Sequence, residues 1–496
     1  MSSPQSLPVR VEELLERGAR RHPSRTAIVC TAVRYSYAEV DDRATQCADT
    51  LLRGGLRPGD RVAIRLENSV DAVVSLFGVL KAGGVFCIVN PQSPDDYLRQ
   101  LLANSGASAL VARDASGALQ ITWPPSHESE SSSTSAVHHD LAALVYTSGS
   151  TGEPKGVMLT HGNLISAAVS ITTYLENTGD DVILNVLPLG FTYGLGQLTT
   201  ACLAGATLVL ERSFTYPRAI IDTMQREGVT GVALVPTMAT LLLQQNLKAL
   251  HFPRLRYLTN AAAALPVTKI RQLRDALPGV KLYSMYGLTE CQRVSYLPPA
   301  LIDAHPGSVG VPIPDTEAYV VDEFGQPAAA GVVGELVVRG PHVMTGYWNQ
   351  PVETAQALRP GLDGETLLYT GDLFRTDADG LLYFVERKDG MIKTRGEKVA
   401  PRYVEETIAT LEGVADVAVY GVPDDVTGEA IVAVVVPNAG ASLTSDRVRR
   451  HCLEHLAAYM VPKVVDIRDT VPTTSTGKIS RRALRAMAAQ AGESAA

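Results

Sequence analysis

The chain has 496 residues, enough for two or more domains with a large core. Hydrophobic residues make up 46% and charged residues 19%, as in ordinary globular proteins, and the net charge of −8 argues against nucleic acid or anionic membrane as a general partner. No two of the six cysteines form a C-x-x-C unit, which disfavours a zinc site and favours a reducing compartment. Without a visible signal peptide or an apolar run of ~20 residues, we expect a cytoplasmic protein with no membrane insertion.

Helical and strand-like segments alternate along the first part of the chain. Helices are predicted over residues 11–21, 70–81 and 94–105, and strands over residues 60–66, 84–89, 109–112, 182–187, 207–210, 231–234 and 256–259. Strands separated by helices indicate parallel sheets with helical crossovers. The Ser- and Glu-rich stretch 127–139 is predicted to be a flexible surface linker.

The character of the sequence changes after about residue 310. Strands joined by glycine-containing turns are predicted over residues 318–322, 334–339 and 381–387. A small module follows, with helices over 401–411 and 445–456 and strands over 414–420 and 429–437. We therefore predict an α/β fold. A large N-terminal domain, residues 1–388, has parallel-rich sheets with flanking helices and a β-rich subdomain, and residues 389–496 form a small, mobile α+β C-terminal domain.

A loop rich in glycine and hydroxyl residues follows the apolar run 141–146. Its many backbone N–H and hydroxyl donors, with one lysine charge, are suited to a polyphosphate. The spacing is not that of a Walker A motif, because Gly152 precedes Lys155 by three residues, and a surface turn is the plain alternative. The loop reads Thr147-Ser148-Gly149-Ser150-Thr151-Gly152-Glu153-Pro154-Lys155-Gly156.

Five further motifs follow in order along the chain. They are Tyr286-Gly287-Leu288-Thr289-Glu290, Gly334-Glu335-Leu336, Thr370-Gly371-Asp372, Glu386-Arg387-Lys388-Asp389 and Ser475-Thr476-Gly477-Lys478. With them the chain resembles, over nearly its whole length, the AMP-forming adenylating enzymes: acyl-CoA synthetases, luciferases and adenylation domains of peptide synthetases. The resemblance implies that ATP, with Mg²⁺, converts a small carboxylic acid to an acyl adenylate and pyrophosphate.

The resemblance also assigns roles to individual residues. Tyr286 is expected to stack on adenine, Thr289 to contact the α-phosphate and Glu290 to bind magnesium, although a capped turn would also explain this short run. The remaining nucleotide and phosphate contacts are assigned to Thr147, Ser148, Gly149, Ser150, Thr151, Gly152, Lys155, Ala262, Ala263, Gly287, Asp372 and Arg387. Of these, Asp372 and Arg387 are expected at the ribose.

The C-terminal module carries the remaining assignments of the resemblance. Lys478 is expected to bridge the substrate carboxylate and the α-phosphate, which makes it catalytic together with Thr289 and Glu290. Asp389 occupies the hinge position, where a φ/ψ change would swing the small domain after adenylation. That swing would bring Lys393 and Gly396 into the second half-reaction.

The acid pocket departs from part of the family. The predicted pocket comprises Phe191, Thr192, Tyr193, Leu195 and Ala261. Amino-acid-activating members often carry an aspartate around Thr192, and a buried ammonium without a counter-charge costs several kcal/mol. We therefore favour an acid with an apolar body and no free α-amine, although a different acidic residue could supply the charge.

The leading functional prediction is an acid–thiol ligase. The acceptor is predicted to be coenzyme A or the phosphopantetheine arm of a carrier protein. An amine acceptor, giving an amide synthetase, and amino-acid adenylation for a carrier protein remain open, and a luciferase-like oxygenation is remote. A non-catalytic nucleotide-binding protein is the alternative from another class. The sequence names neither the acid, nor the acceptor, nor the oligomeric state.

Overall fold

Helices and strands alternate along most of the computed structural model. It describes residues 7–91, 93, 95–123, 140–148, 154–388, 390–394, 397–424, 427–456, 458–473, 480, 483–484 and 486–487. The predicted linker at residues 127–139 lies outside these described residues.

The helices of the described residues flank the sheets. They are α1 (Glu12–Arg21), α2 (Tyr37–Arg53), α3 (Val70–Lys81), α4 (Asp95–Ser105), α5 (His161–Leu175), α6 (Thr192–Ala204), α7 (Pro217–Glu227), α8 (Pro236–Leu243), α9 (Val267–Ala276), α10 (Pro351–Ala357), α11 (Pro401–Ala409) and α12 (Ser445–His455). Short 3-10 turns cover Leu247–Ala249, Pro299–Leu301 and Ala458–Met460.

The strands of the described residues are also numbered in chain order. They are β1 (Thr26–Cys30), β2 (Val33–Ser36), β3 (Arg61–Arg65), β4 (Val85–Ile88), β5 (Ala109–Arg113), β6 (Leu119–Thr122), β7 (Leu141–Ser148), β8 (Pro154–Thr160), β9 (Val182–Asn185), β10 (Thr207–Leu210), β11 (Gly231–Leu234), β12 (Tyr257–Asn260), β13 (Lys281–Tyr286), β14 (Ser295–Tyr296), β15 (Val311–Pro312), β16 (Glu317–Val321), β17 (Gly334–Arg339), β18 (Gly346–Tyr347), β19 (Leu358–Pro360), β20 (Thr366–Thr376), β21 (Leu382–Arg387), β22 (Ile392–Thr394), β23 (Glu397–Val399), β24 (Val414–Asp424), β25 (Gly428–Pro437) and β26 (Val464–Ile467).

Two large sheets dominate the first part of the chain. One has the order β15-β14-β13-β12-β11-β9-β10-β1-β2, and the other β18-β8-β7-β4-β3-β5-β6. Their central strands pair in parallel, as β11 with β12, β12 with β13, and β3 with both β4 and β5. Antiparallel strands lie at the sheet margins. The predicted α/β fold with parallel-rich sheets and flanking helices is confirmed.

The structure divides into two compact units. The first comprises Met1–Ala318 and Val338–Tyr369, and the second Tyr319–Val337 and Thr370–Ala496. The second unit contains the sheet β23-β22-β25-β24, with β26 beside β25, and its apolar core is covered by α11 and α12. The predicted boundary after residue 388 stays a prediction.

Local capping signals explain where some helices begin. Thr160 ends β8 and caps α5, because its hydroxyl accepts from the backbone N–H of Asn163 while the Asn163 side chain accepts from the backbone of Thr160. This reciprocal pair fixes the turn from β8 into α5.

All six cysteines lie within the described residues, and all are free thiols. Cys30 and Cys47 are half-buried, whereas Cys87, Cys202, Cys291 and Cys452 are buried. Within the described part of the chain, we find no helix whose length and apolar character would let it cross a membrane.

Candidate active site

The predicted phosphate loop joins two antiparallel strands. In the pairing of β7 with β8, Thr147 lies opposite Lys155 and Ser148 opposite Pro154. The loop residues between them, Gly149, Ser150, Thr151 and Gly152 among them, lie outside the described residues. The hairpin therefore places the two ends of the loop, Thr147 and Lys155, side by side.

The base of this hairpin is supported from several directions. Gly156 packs where a side chain would meet the Tyr146 ring at 3.1 Å, and its carbonyl accepts from the Trp348 N–H at 2.7 Å. The Tyr146 hydroxyl donates to Asn104 Oδ1 at 2.8 Å, and Trp348 Nε1 donates to the Asn104 carbonyl at 3.1 Å. These contacts hold the strands that carry the loop.

One tyrosine links the loop lysine to the predicted magnesium ligand. The ammonium of Lys155 lies 5.6 Å from the centre of the Tyr347 ring, within cation–π range. The Tyr347 hydroxyl donates to Glu290 Oε1 at 2.8 Å. The Tyr347 side chain therefore contacts a cation through its ring and a carboxylate through its hydroxyl.

The run from Gly287 to Val294 forms a tight loop between β13 and β14. Gly287 is required there, because a Cβ would come within 2.4 Å of the Gln292 carbonyl oxygen. Tyr286 ends β13, and Thr289 and Glu290 follow it half-buried in the loop. The backbone carbonyl of Glu290 accepts from the Met344 N–H at 2.7 Å. Residues 289–291 form a turn, and no helix of the described residues begins at Glu290.

Glu290 fits a magnesium ligand. Magnesium in nucleotide sites is held by one or two carboxylates, with phosphates and waters completing the shell. Glu290 is half-buried, its Oε1 is oriented by Tyr347, and no hydrogen bond to its Oε2 is found within the described part of the chain. This carboxylate can therefore offer an oxygen to a hard cation.

The predicted acid-pocket residues differ in their surroundings. Tyr193, Ala261 and Ala262 share one apolar cluster, in which the Tyr193 hydroxyl hydrogen-bonds Thr259 Oγ1 at 2.7 Å. Thr192 begins α6, Leu195 is buried within it, and Phe191 is 37% exposed. Tyr193 and Ala261 are thus brought together, whereas Phe191 lies at the surface of this region.

Ala262 has an unusual backbone conformation. Its φ of 73° lies in the left-handed region, whereas Ala263 has no positive φ and is exposed. A methyl group is disfavoured in that region by about 1–2 kcal/mol. A glycine at this position would remove the strain.

Sequence reasoning missed Arg293. Its side chain is only 2% exposed, and its guanidinium stacks on the Tyr193 ring at 4.7 Å. Its Nε has no hydrogen-bond partner, and no carboxylate of the described residues forms an ion pair with it. The one signal in the sequence is an arginine followed by the apolar Val294, just before strand β14.

The predicted ribose residues lie in the second unit. Asp372 and Arg387 face each other across β20 and β21, with Arg387 Nη1 3.1 Å from Asp372 Oδ1. Gly371 lies within β20, where its φ of 70° would strain any other residue. That kink is braced by Glu335, which accepts from the Gly371 N–H at 3.0 Å and from Lys388 Nζ at 2.8 Å.

Several predicted residues cannot be placed. Lys478, the hinge residue Asp389 and Gly396 lie outside the described residues. The backbone of Lys393 belongs to β22. The roles predicted for these four residues stay predictions.

Comparisons with known proteins agree along the whole chain. Residues 15–348 match the AMP-binding enzyme family, and residues 403–478 match the AMP-binding enzyme C-terminal domain. A feruloyl-CoA synthase from Amycolatopsis is 34% identical over 95% of this chain and 97% of its own length. A long-chain-fatty-acid–CoA ligase from Salmonella typhimurium is 33% identical over 95% of this chain and 93% of its own.

A solved structure extends the comparison. The o-succinylbenzoate coenzyme A synthetase of Bacillus subtilis, in complex with ATP and magnesium ion, matches with a TM-score of 0.82 and 25% identity. The match covers 95% of this chain and 98% of that one.

Proposed function

This chain belongs to the AMP-forming adenylating enzymes, and we propose how its own residues carry out the reaction of that family. It is an ATP-dependent acid–thiol ligase, which forms an acyl adenylate with release of pyrophosphate and passes the acyl group to a thiol. The attack of a carboxylate on the α-phosphate requires little covalent chemistry from the protein. Positioning and charge neutralisation dominate such reactions.

The arrangement of Lys155, Tyr347 and Glu290 is the observation that best supports this proposal. Lys155, at the end of the β7–β8 hairpin loop, neutralises phosphate charge, and the loop itself supplies N–H and hydroxyl donors. Glu290 would hold magnesium, which supplies further neutralisation of the triphosphate when bound. Tyr347 orients the carboxylate and underlies the lysine, so that the two groups keep a fixed relation to each other.

The remaining roles come from the sequence motifs. We assign the α-phosphate contact to Thr289, the adenine to Tyr286 and the ribose to Asp372 and Arg387. The direct pairing of Asp372 with Arg387 supports the last assignment, because it holds a carboxylate ready to accept hydrogen bonds from two hydroxyls. Lys478 is assigned to the adenylation step.

The second half-reaction is assigned to the C-terminal part of the chain. Asp389 is the proposed hinge, and Lys393 and Gly396 are the residues proposed to act when the acyl group is transferred. Replacing Asp389 with proline would fix φ and should impair thioester formation more than adenylation.

We propose coenzyme A as the acceptor and an acid with an apolar body and no α-amine as the substrate. The printed functions of the two relatives, a feruloyl-CoA synthase and a long-chain-fatty-acid–CoA ligase, support the acceptor. Their acids differ in chemistry, so membership in the family leaves the acid open. The neutral Thr192 and the apolar setting of Tyr193 and Ala261 support the absence of an ammonium.

Acid-dependent exchange of labelled pyrophosphate into ATP tests the first half-reaction directly. The panel contains aryl and alkyl acids, each paired with its α-amino analogue. We expect the acids to exceed their analogues by about tenfold or more, since an unpaired buried polar group costs ~1–3 kcal/mol. Thr192→Asp should shift the preference toward the amino acids. A best kcat/KM for a proteinogenic amino acid would contradict the assignment.

The acceptor and the compartment need separate experiments. With the best acid, product formation is compared for coenzyme A, a phosphopantetheine-loaded carrier protein and simple amines, and we expect coenzyme A to give the fastest turnover. A faster reaction with an amine would make the chain an amide synthetase instead. Cytoplasmic location, proposed from the composition, is checked by cell fractionation.

A further inference from the structure

Arg293 is a buried cation that forms no ion pair with a carboxylate of the described residues. It follows Glu290 by three residues in the loop between β13 and β14, and its guanidinium lies on the ring of Tyr193. Only 2% of its surface is exposed, and its Nε lacks a partner.

Another arginine of the same unit, Arg256, is paired with a carboxylate, as is usual. Arg256 donates from Nε and Nη2 to Asp181, at 3.0 and 2.7 Å, and that carboxylate is itself buried. Among the described residues, Arg293 contacts the face of the Tyr193 ring and the hydroxyl of Tyr174, both of which are neutral groups. A buried charge is normally paired, because removal from water without compensation is costly. The absence of a carboxylate partner for Arg293 among the described residues is therefore the feature that needs an explanation.

The surroundings of Arg293 are those of the proposed acid pocket. Arg293 stacks on Tyr193, and the Tyr193 hydroxyl hydrogen-bonds Thr259, which lies two residues before Ala261. Tyr193 and Ala261 belong to the same apolar cluster. Tyr174 is another neighbour: burial raises the pKa of Tyr174 to about 12, and the charge of Arg293 opposes this rise. Tyr174 in turn stacks on Tyr296 at 4.2 Å. The guanidinium thus lies beside two tyrosine side chains, those of Tyr193 and Tyr174.

We propose that Arg293 binds a second carboxylate, at the distal end of the apolar body of the substrate acid. This inference rests on the proposed function, because it places the acid beside Tyr193. The aromatic rings contact the apolar body, and the guanidinium forms a bidentate pair with the distal carboxylate. Exclusion of water strengthens such a pair. The same charge repels an α-ammonium, which is a reason for rejecting amino acids independent of Thr192.

The inference is tested with pairs of acids that differ only at the distal end. Phenylpropanoic acid is compared with its para-carboxy analogue, and hexanoic acid with the corresponding straight-chain diacid, in acid-dependent pyrophosphate exchange. Wild-type protein should prefer the diacid of each pair. Arg293→Met should lower kcat/KM for the diacids on the order of 100-fold, and the loss should appear as a higher KM for the acid. The kcat/KM for the monoacids should change by less than about threefold. KM for ATP should not change.

A second set of substrates makes the test independent of whether the variant folds. The distal carboxylate is replaced by the neutral primary amide, and wild-type protein should use this half-amide at least about tenfold less well than the diacid. Arg293→Lys, which keeps the charge but not the bidentate fork, should be intermediate.

Two results would overturn the inference while leaving the proposed function intact. One is a wild-type protein that activates the monoacids, or a para-hydroxy analogue, better than the diacids. The other is an Arg293→Met variant that loses monoacid and diacid exchange equally. Failure of the proposed function looks different, since pyrophosphate exchange would then be stimulated by no carboxylic acid of the panel.

Discussion

The Tyr347 hydroxyl donates a hydrogen bond to Glu290, and the ring of Tyr347 makes a cation–π contact with Lys155. The pair connects β18 with the loop between β13 and β14. Because the contact is between a neutral donor and a carboxylate, it orients the negative charge without cancelling it. An ordered carboxylate of this kind is suited to a metal-bound nucleotide.

Removing this hydroxyl should weaken the binding of magnesium and ATP. Tyr347→Phe keeps the ring beneath Lys155 and deletes one hydrogen bond to a charged group, worth about 1.5–3 kcal/mol. We expect KM for Mg·ATP in pyrophosphate exchange to rise about tenfold or more. The matched control is Tyr383→Phe, which deletes a similar bond to Asp377 in the second unit. An equal change in both variants would remove Tyr347 from the site.

Asp372 should be needed to recognise the ribose hydroxyls. Asp372→Asn should raise KM for ATP about tenfold, the cost of weakened charged hydrogen bonds. The preference of the wild-type protein for ATP over the dideoxy analogue that lacks both ribose hydroxyls should shrink accordingly. Asp466→Asn, which disturbs a half-buried Asp–Arg pair with Arg468, is the control. An unchanged preference in Asp372→Asn would show that this carboxylate acts elsewhere.

Lys478 should act in the first half-reaction only. Lys478→Ala is expected to slow acyl-AMP formation by about 10²–10³-fold, the scale of one lost charge-stabilising contact. Thioester formation from supplied acyl-AMP should survive. Pre-steady-state measurement of both steps checks this, with Lys463→Ala, a surface lysine paired with Asp424, as the control. Equal losses in both half-reactions would contradict a role confined to adenylation.

His342 should make the first unit sensitive to mild acid. Burial lowers the pKa of His342 from 6.5 to about 4. Between these values the unfolded chain binds a proton that the folded chain does not, so stability falls as the pH drops from 6.5 to about 4, by at most ~3 kcal/mol. His342→Gln should flatten the unfolding free energy across this window, whereas His251→Gln, at an exposed position, should not. Parallel pH profiles for wild type and His342→Gln would refute the assignment.

Ala262 should tolerate glycine better than its neighbour does. Glycine relieves the left-handed strain of Ala262, offsetting the ~0.4–1 kcal/mol by which glycine favours the unfolded chain. We therefore expect Ala262→Gly to be neutral or stabilising in thermal unfolding. Ala263→Gly, at an ordinary backbone conformation, should lose that amount. A larger loss at Ala262 would mean that its methyl group makes a contact worth more than the strain.

The parts of the fold with apolar strands were predictable, because runs such as 141–146 and 231–234 are short and continuously apolar. Helix α6 was not predicted, since its residues are buried on nearly all sides and lack a charged face that would reveal a helical period. Helix α2 begins with a capping box formed by Ser36 and Glu39. This sequence pattern predicts the start of a helix, but helix α2 was not predicted.

The residues of the candidate site were likewise predictable only in part. Thr147, Lys155, Glu290 and Asp372 lie in short motifs that resemble those of a known family, and the resemblance implies phosphate, metal and sugar contacts for them. Arg293 could not be assigned from its neighbours, because its partner Tyr193 is distant in sequence. Only the folding of the β13–β14 loop against α6 gives that arginine its buried, aromatic surroundings.

The burial of the cysteines has a consequence for an enzyme that makes an acylating agent. Burial raises the pKa of Cys87 and Cys202 to about 12, and that of Cys47 and Cys452 to about 11. These sulfurs stay protonated at neutral pH, and a protonated thiol is a poor nucleophile. The intended acceptor is an outside thiol, so the chain keeps most of its own from competing for the acyl group. Acylation of these four thiols by the acyl adenylate should therefore be slow.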